Sequence, residues 1–254
     1  GARTVGDAWE FGVGAGRGPR SLGDGVSEWG GYAAVREEDI ALANAALDLI
    51  GQTQLWLGLA AEEEGTGKTA DDLAFLRDAW DFRNALLCEL PNGDFGRTLM
   101  RQYLFDQWHL LMLQALQGSS EKRVSDIADK AVKEVSYHVE RSRDTVIGLG
   151  DGTPESHKRM QDALEYLYPY VGELFTPDAV DEAATQEGIA PDLASLRASY
   201  DAAVADTMAE ATLTLPDSRF GHKGGRTGKM HTEHLGHILT QMQWLQRAYP
   251  GASW

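Results

Sequence analysis

From Asp94 to about Gln117 the chain offers water no face. On a helical wheel Leu99, Met100, Leu104, Phe105, Leu110, Leu111, Met112 and Leu113 surround the axis almost completely. A helix that is apolar all round is covered on every side. Asp94 opens the run as a natural N-cap. The rest of the chain must therefore supply further helices to wrap this one, which points to an all-α bundle.

The flanking segments read that way. Glu37 to about Ala61 repeats Leu42, Ala46, Leu49, Thr53, Trp56 and Ala60 at heptad spacing, and Gly65 and Gly67 stop it. A second helix is predicted from about Ala70 to Glu89, ended by the turn Pro91-Asn92-Gly93. Ser119 or Ser120 is the expected cap of a helix to about Leu149, followed by Gly150-Asp151-Gly152. Thr153-Pro154 starts another, with proline at the first helical position, and Pro169 should kink or end it. Thr176-Pro177 repeats the start signal for a short helix that stops at Gly188. Further helices are expected over about 192–213 and 231–248, the latter ended by Pro250. Residues 1–26 form an irregular Gly-rich segment, with at most a short helix near Ser21 to Trp29, because each glycine costs a helix about 1 kcal/mol. Short connections and the lack of a linker make 27–254 a single domain.

Charge and cysteine content remove whole classes of function. A net charge of −16 would be repelled by nucleic acid phosphates and by an anionic membrane. No apolar run reaches the roughly 20 residues of a membrane span, and no apolar signal core is seen. The one cysteine, Cys88, sits in the apolar run Ala85-Leu86-Leu87-Cys88 and reads as a small core residue. It leaves no disulfide framework or Cys-based zinc site and fits a reducing cytoplasm. Walker, dinucleotide and Ser/His/Asp patterns are missing, and Gly12, Gly14 and Gly16 follow no predicted strand.

Chemistry concentrates on three helices whose faces are otherwise apolar. Asn44, Asp48 and Gln52 fall at i, i+4, i+8. Asp106 and His109 stand three apart on the long apolar helix. Glu134 and His138 stand four apart beside Ile127, Ala131 and Val135. A buried carboxylate must be paired, protonated or on a metal. Converging carboxylates and imidazoles are how di-metal bundles hold their ions, using one Glu from each of two helices and Glu-x-x-His from each of two more. None of the three helices contains Glu-x-x-His, so a hydrogen-bonded core network stands beside a metal site as the reading of this group. His231, His234 and His237, with Glu233, form a second candidate, although steps of three drift around a helix. Arg219, His222, Lys223, Arg226 and Lys229 make a basic island within 219–229 that suits a phosphate, CoA's included, or an acidic surface.

These same stretches resemble the C-subunit family of the bacterial phenylacetyl-CoA epoxidase complex. The resemblance is carried by Ser27-Glu28-Trp29, by Asp39-Ile40-Ala41-Leu42-Ala43-Asn44 with Leu47-Asp48-Leu49-Ile50-Gly51-Gln52, and by Glu89-Leu90-Pro91-Asn92-Gly93-Asp94-Phe95. It continues through Arg101-Gln102-Tyr103, Asp106, Trp108-His109, Lys130-Ala131-Val132-Lys133-Glu134, Tyr137-His138, His231-Thr232-Glu233-His234-Leu235-Gly236 and Met242-Gln243-Trp244-Leu245-Gln246-Arg247. Residues 1–26 depart from the family, which carries a regular helix there, and His237 replaces an expected proline.

The resemblance implies a ferritin-like bundle with additional C-terminal helices. It also implies that the catalytic work lies in a related A subunit holding di-iron and the CoA ester. A small B subunit and an NADPH-dependent flavin and iron–sulfur reductase complete the complex. Against the catalytic chain, Leu49 and Gln52 replace the first Glu-x-x-His, Val135 replaces the glutamate of the second and leaves His138, and Asp106 remains. The first-helix carboxylate would fall near Pro19. The expectation is thus a cytoplasmic, non-catalytic structural subunit that binds no cofactor and stabilises the A subunit. Asp48, Gln52, Asp106, Glu134 and His138 would then be a vestigial site. A di-iron oxygenase using Asp48, Asp106, Glu134 and His138, with Glu28 as an added ligand, is the enzymatic alternative. A stand-alone helical binding protein is the third.

Overall fold

The computed structural model describes residues 32–78, 85–91, 93–217, 221–222 and 230–250. Every regular element among them is helical: α1 Tyr32–Glu64, α2 Ala70–Phe75, α3 Leu86–Glu89, α4 Phe95–Leu116, α5 Lys122–Gly150, α6 Pro154–Leu167, a 3-10 turn Tyr168–Phe175, α7 Ala179–Gln186, α8 Leu193–Glu210 and α9 Glu233–Ala248. The architecture is an all-α, ferritin-like bundle.

The apolar helix is the axis. Sixteen of the 22 residues of α4 are buried, with α5, α6 and α8 packed around it. Its N-cap is Asp94, whose carboxylate accepts the Arg97 amide at 2.8 Å. Burying tyrosines there requires partners for their hydroxyls. Tyr103 donates to Thr207 Oγ1 at 2.8 Å, and Tyr200 donates to the Leu104 carbonyl at 3.0 Å. The heptad positions Leu42, Ala46, Leu49, Thr53, Trp56 and Ala60 of α1 are all buried, and α1 lies against α5 and α2.

Several boundaries differ from the sequence reading. The helix expected over 70–89 is two short pieces. Thr69 and Asp72 form a reciprocal capping box at the first, which ends at Leu76. Ala85 is extended, and α3 follows as a single turn. The cap of α5 is Glu121 rather than Ser119 or Ser120; Ser120 instead donates to the Glu187 carbonyl and ties the turn before α5 to the end of α7. Asp178, not Thr176, accepts the Asp181 amide at the start of α7. Gly188, at φ +72°, ends that segment in the left-handed region glycine tolerates. The helix expected to reach 213 stops at Glu210: Thr212 takes a left-handed φ of +58°, and its hydroxyl donates to the Gly150 carbonyl at 3.2 Å. Pro169 ends α6 as expected, and the chain continues as the 3-10 turn. The segment 1–26 and Glu28 lie outside the described residues.

Candidate functional site

The polar stripes of α1, α4 and α5 meet. Their i, i+4 spacings pair backwards, as antiparallel helices demand: Asp48 with His138, and Gln52 with Glu134. His138 Nε2 lies 2.8 Å from Asp48 Oδ2, and Gln52 Nε2 donates to Glu134 Oε2 at 2.8 Å. Gln52 and His138 are buried, whereas Asp48 keeps 41% of its side chain exposed and Glu134 is half-buried. Asn44, on the same stripe, faces solvent.

Asp106 is deeper and separate. It is fully buried, accepting from Gln102 Nε2 at 2.7 Å and from Ser142 Oγ at 3.2 Å. Burial pushes its carboxyl up to about 7, against the opposing pull of His138 and of these two hydrogen bonds. Near neutral pH Asp106 is thus divided between acid and carboxylate. His109 does not join it. Its ring packs among Phe105 and Trp108, and burial, then the neighbouring His138, hold its imidazole down at about 3, so it is neutral. Gln102, Asp106, His138, Ser142, Asp48 and Arg141 help line a cleft of about 250 Å³ between α1 and α5, with Ile40 and Tyr137 among its apolar walls.

Two ions held between helices need carboxylates and imidazoles aimed at one point. Here the donors and acceptors of α1 and α5 are aimed at each other. Leu49 and Val135, three residues before Gln52 and His138, are both fully buried apolar side chains. Among the described residues, no three His, Cys, Asp or Glu side chains are grouped to hold a metal ion.

The tail histidines separate as well. His231 Nδ1 is 2.6 Å from Glu89 Oε1, His237 is exposed, and the His234 and His237 rings are 6.5 Å apart. Of the basic island, only His222 is described. It stacks on Tyr170 at 4.5 Å, while Arg219, Lys223, Arg226 and Lys229 lie outside the described residues. Cys88 is buried within the main apolar core, beside Leu87 and Leu90.

Sequence reasoning passed over two groups. Gln102 and Ser142 complete the surroundings of Asp106, and both sit at i, i+4 spacing from a singled-out residue (Asp106 and His138), a signal that was there to read. The second is Glu89, fully buried. Its carboxylate takes His231 Nδ1 and the Thr232 amide, the latter at 2.7 Å, and its carbonyl accepts Thr232 Oγ1 at 3.1 Å. Nothing local announces a partner 142 positions away.

A ferritin-like helical bundle in which polar side chains of α1, α4 and α5 pair with one another between the helices is thus the class of protein defined by fold and site. The chain belongs to the phenylacetic acid catabolic protein family, whose model matches residues 22–254. It is similar to the C subunit of 1,2-phenylacetyl-CoA epoxidase from Escherichia coli (strain K12), at 44% identity over 233 residues, covering 92% of this chain and 93% of that one. No described helix is long and apolar enough to cross a membrane.

Proposed function

We propose that this chain is the non-catalytic structural subunit of a phenylacetyl-CoA epoxidase, acting in the cytoplasm in the aerobic breakdown of phenylacetate. Its residues 27–254 serve as one ferritin-like domain that binds and stabilises a di-iron A subunit. A small B subunit and a reductase complete the assembly, and this chain holds no cofactor of its own. The observation that carries the reading is the pairing of the polar groups on these faces with one another: Asp48 with His138, Gln52 with Glu134, and Asp106 with Gln102 and Ser142. Groups spent on one another are not poised for oxygen chemistry. Similarity to the C subunit of a named epoxidase supports the choice of complex.

Two measurements test it. Co-expressed with an A subunit, the chain is expected to co-elute with it and raise its soluble yield; separate elution with insoluble A subunit overturns the scaffold role. Metal analysis of the isolated chain after anaerobic iron reconstitution is expected to find no stoichiometric iron. Two irons per chain would overturn the non-catalytic role.

A further inference from the structure

We propose that the cleft between α1 and α5 is a binding site for a small primary amine, whose ammonium group is received at the cleft's inner end by Asp106, Gln102 and His138. The site goes beyond the structural-subunit reading and is independent of it.

The cleft exists because α1 turns short side chains toward it. Ala41 and Ala45, at i and i+4, belong to its α1 wall, with Asp48 in the next turn. Tyr137 and Arg141, also four apart, stand on the α5 side. Alanines do not reach across such a gap, and about 250 Å³ is left. That is below the roughly 300–1,000 Å³ of clefts that take drug-sized ligands, so the occupant is small. The two alanines, Ile40 and the Tyr137 ring offer its body apolar surface.

The inner end supplies acceptors. Asp106 is fully buried and takes Gln102 Nε2 at 2.7 Å and Ser142 Oγ at 3.2 Å. The oxygen of the same amide, Gln102 Oε1, is buried and has no hydrogen-bond partner among the described residues. His138, 6% exposed, gives its Nε2 hydrogen to Asp48 Oδ2 at 2.8 Å, because a carboxylate only accepts. In the neutral imidazole Nδ1 is then a second buried acceptor with no partner among the described residues. Buried polar atoms are ordinarily paired. Two unpaired acceptors on residues that line one cleft, next to a buried carboxyl, mark a place for a donor.

Hydrogen count and charge select which donor. A carboxylate brings no hydrogen for Gln102 Oε1 or His138 Nδ1, and a hydroxyl brings one. A primary ammonium brings three and no lone pair. Those three match Gln102 Oε1, His138 Nδ1 and an oxygen of Asp106, which has acceptor capacity beyond its two bonds. Among the described lining residues two carboxyl groups, Asp48 and Asp106, outweigh one guanidinium, Arg141, so the cleft attracts a cation. An ammonium beside Asp106 would in turn favour its carboxylate form over the acid.

The test is a protein-observed NMR titration of the full chain with benzylamine, which is protonated at neutral pH, against benzyl alcohol and benzoate, which share its ring. Saturable binding of benzylamine in the millimolar range is expected. It should move the Gln102 side-chain amide and His138 ring signals, with the alcohol weaker and benzoate silent. Two variants locate the site, each checked for folding by a thermal melt. Ala41→Phe fills the cleft from a half-buried position and leaves the polar groups in place. Asp106→Asn keeps the shape of the inner end and removes its charge. Each should weaken benzylamine at least about tenfold, the first by obstruction and the second by losing a hydrogen bond to a charged group. No saturable binding, or shifts confined to residues outside the cleft, overturns the proposal. Benzyl alcohol or benzoate binding as tightly as benzylamine overturns the amine as the ligand class. Wild-type affinity in either folded variant removes the ammonium from this cleft and overturns the assignment.

Discussion

Replacing Asp106 by Asn should change how stability depends on pH. Burial raises this carboxyl from 3.8 in the unfolded chain to about 7 in the folded one. Between those values the native state holds a proton that the unfolded state has released, so Asp106 costs stability as pH rises through that window. The full shift, at about 1.4 kcal/mol per pH unit, sets a ceiling of about 4 kcal/mol. His109 acts in the opposite direction: its imidazole is held at about 3 when folded and 6.5 when unfolded, so its contribution is lost as pH falls through 6.5 toward 3. From about pH 4 to 6.5 one proton sits on Asp106 in the native chain and on His109 in the unfolded chain, and the two slopes cancel. Asn keeps an acceptor for Gln102 and removes the titration. The variant should then gain stability with rising pH where these two groups of the wild type give no slope. The difference between the two proteins should grow by about 1.4 kcal/mol per unit from pH 4 to 7. Urea unfolding at half-unit pH steps, comparing extrapolated free energies, measures it. Parallel curves for wild type and Asp106→Asn across pH 4–7 would refute the reasoning.

Other perturbations have equally definite outcomes. Glu89→Gln removes the negative charge that holds His231 and the Thr232 amide, and should destabilise the chain by about 2–3 kcal/mol, with amide exchange quickening first in α9. Gly150→Ala places a methyl 2.5 Å from the Ala211 carbonyl oxygen; the backbone contact cannot yield cheaply, so the variant should lose about 1–3 kcal/mol in chemical unfolding despite alanine's higher helix propensity.

The long elements were legible because each had a strong local cause. The all-round apolar run of α4, the heptad of α1 and the Thr153-Pro154 start of α6 each determine an element within a few turns. The expected helix over 70–89 failed for the opposite reason. Its apolar residues fit a helix, but α2 ends at the Leu76 C-cap and Ala85 is extended, so the described residues form separate turns docked on α9 and on the 3-10 segment. At the site, the polar residues that pair between α1, α4 and α5 stood out on otherwise apolar faces. Their pairing did not, since periodicity places a side chain on a face and says nothing of the helix opposite. Asp48 and His138 are 90 residues apart, and only the packing of α1 on α5 joins them. Asp106 and His109, adjacent on the wheel, have different surroundings because their side chains leave the helix in directions that separate a polar seam from an aromatic one.

The Glu89 contact has a consequence for the order in which the molecule is made. A carboxylate fully closed off from water belongs to α3, yet the groups that satisfy it arrive with Thr232 and His231. During synthesis at about 5–20 residues per second, the 142 positions from Glu89 to His231 take on the order of ten seconds to emerge. For that interval, sealing α3 would leave the Glu89 carboxylate without the His231 and Thr232 groups that satisfy it, at a cost of about 1–3 kcal/mol. The final helix is therefore more than a late addition to the surface: the residues at its start remove that cost.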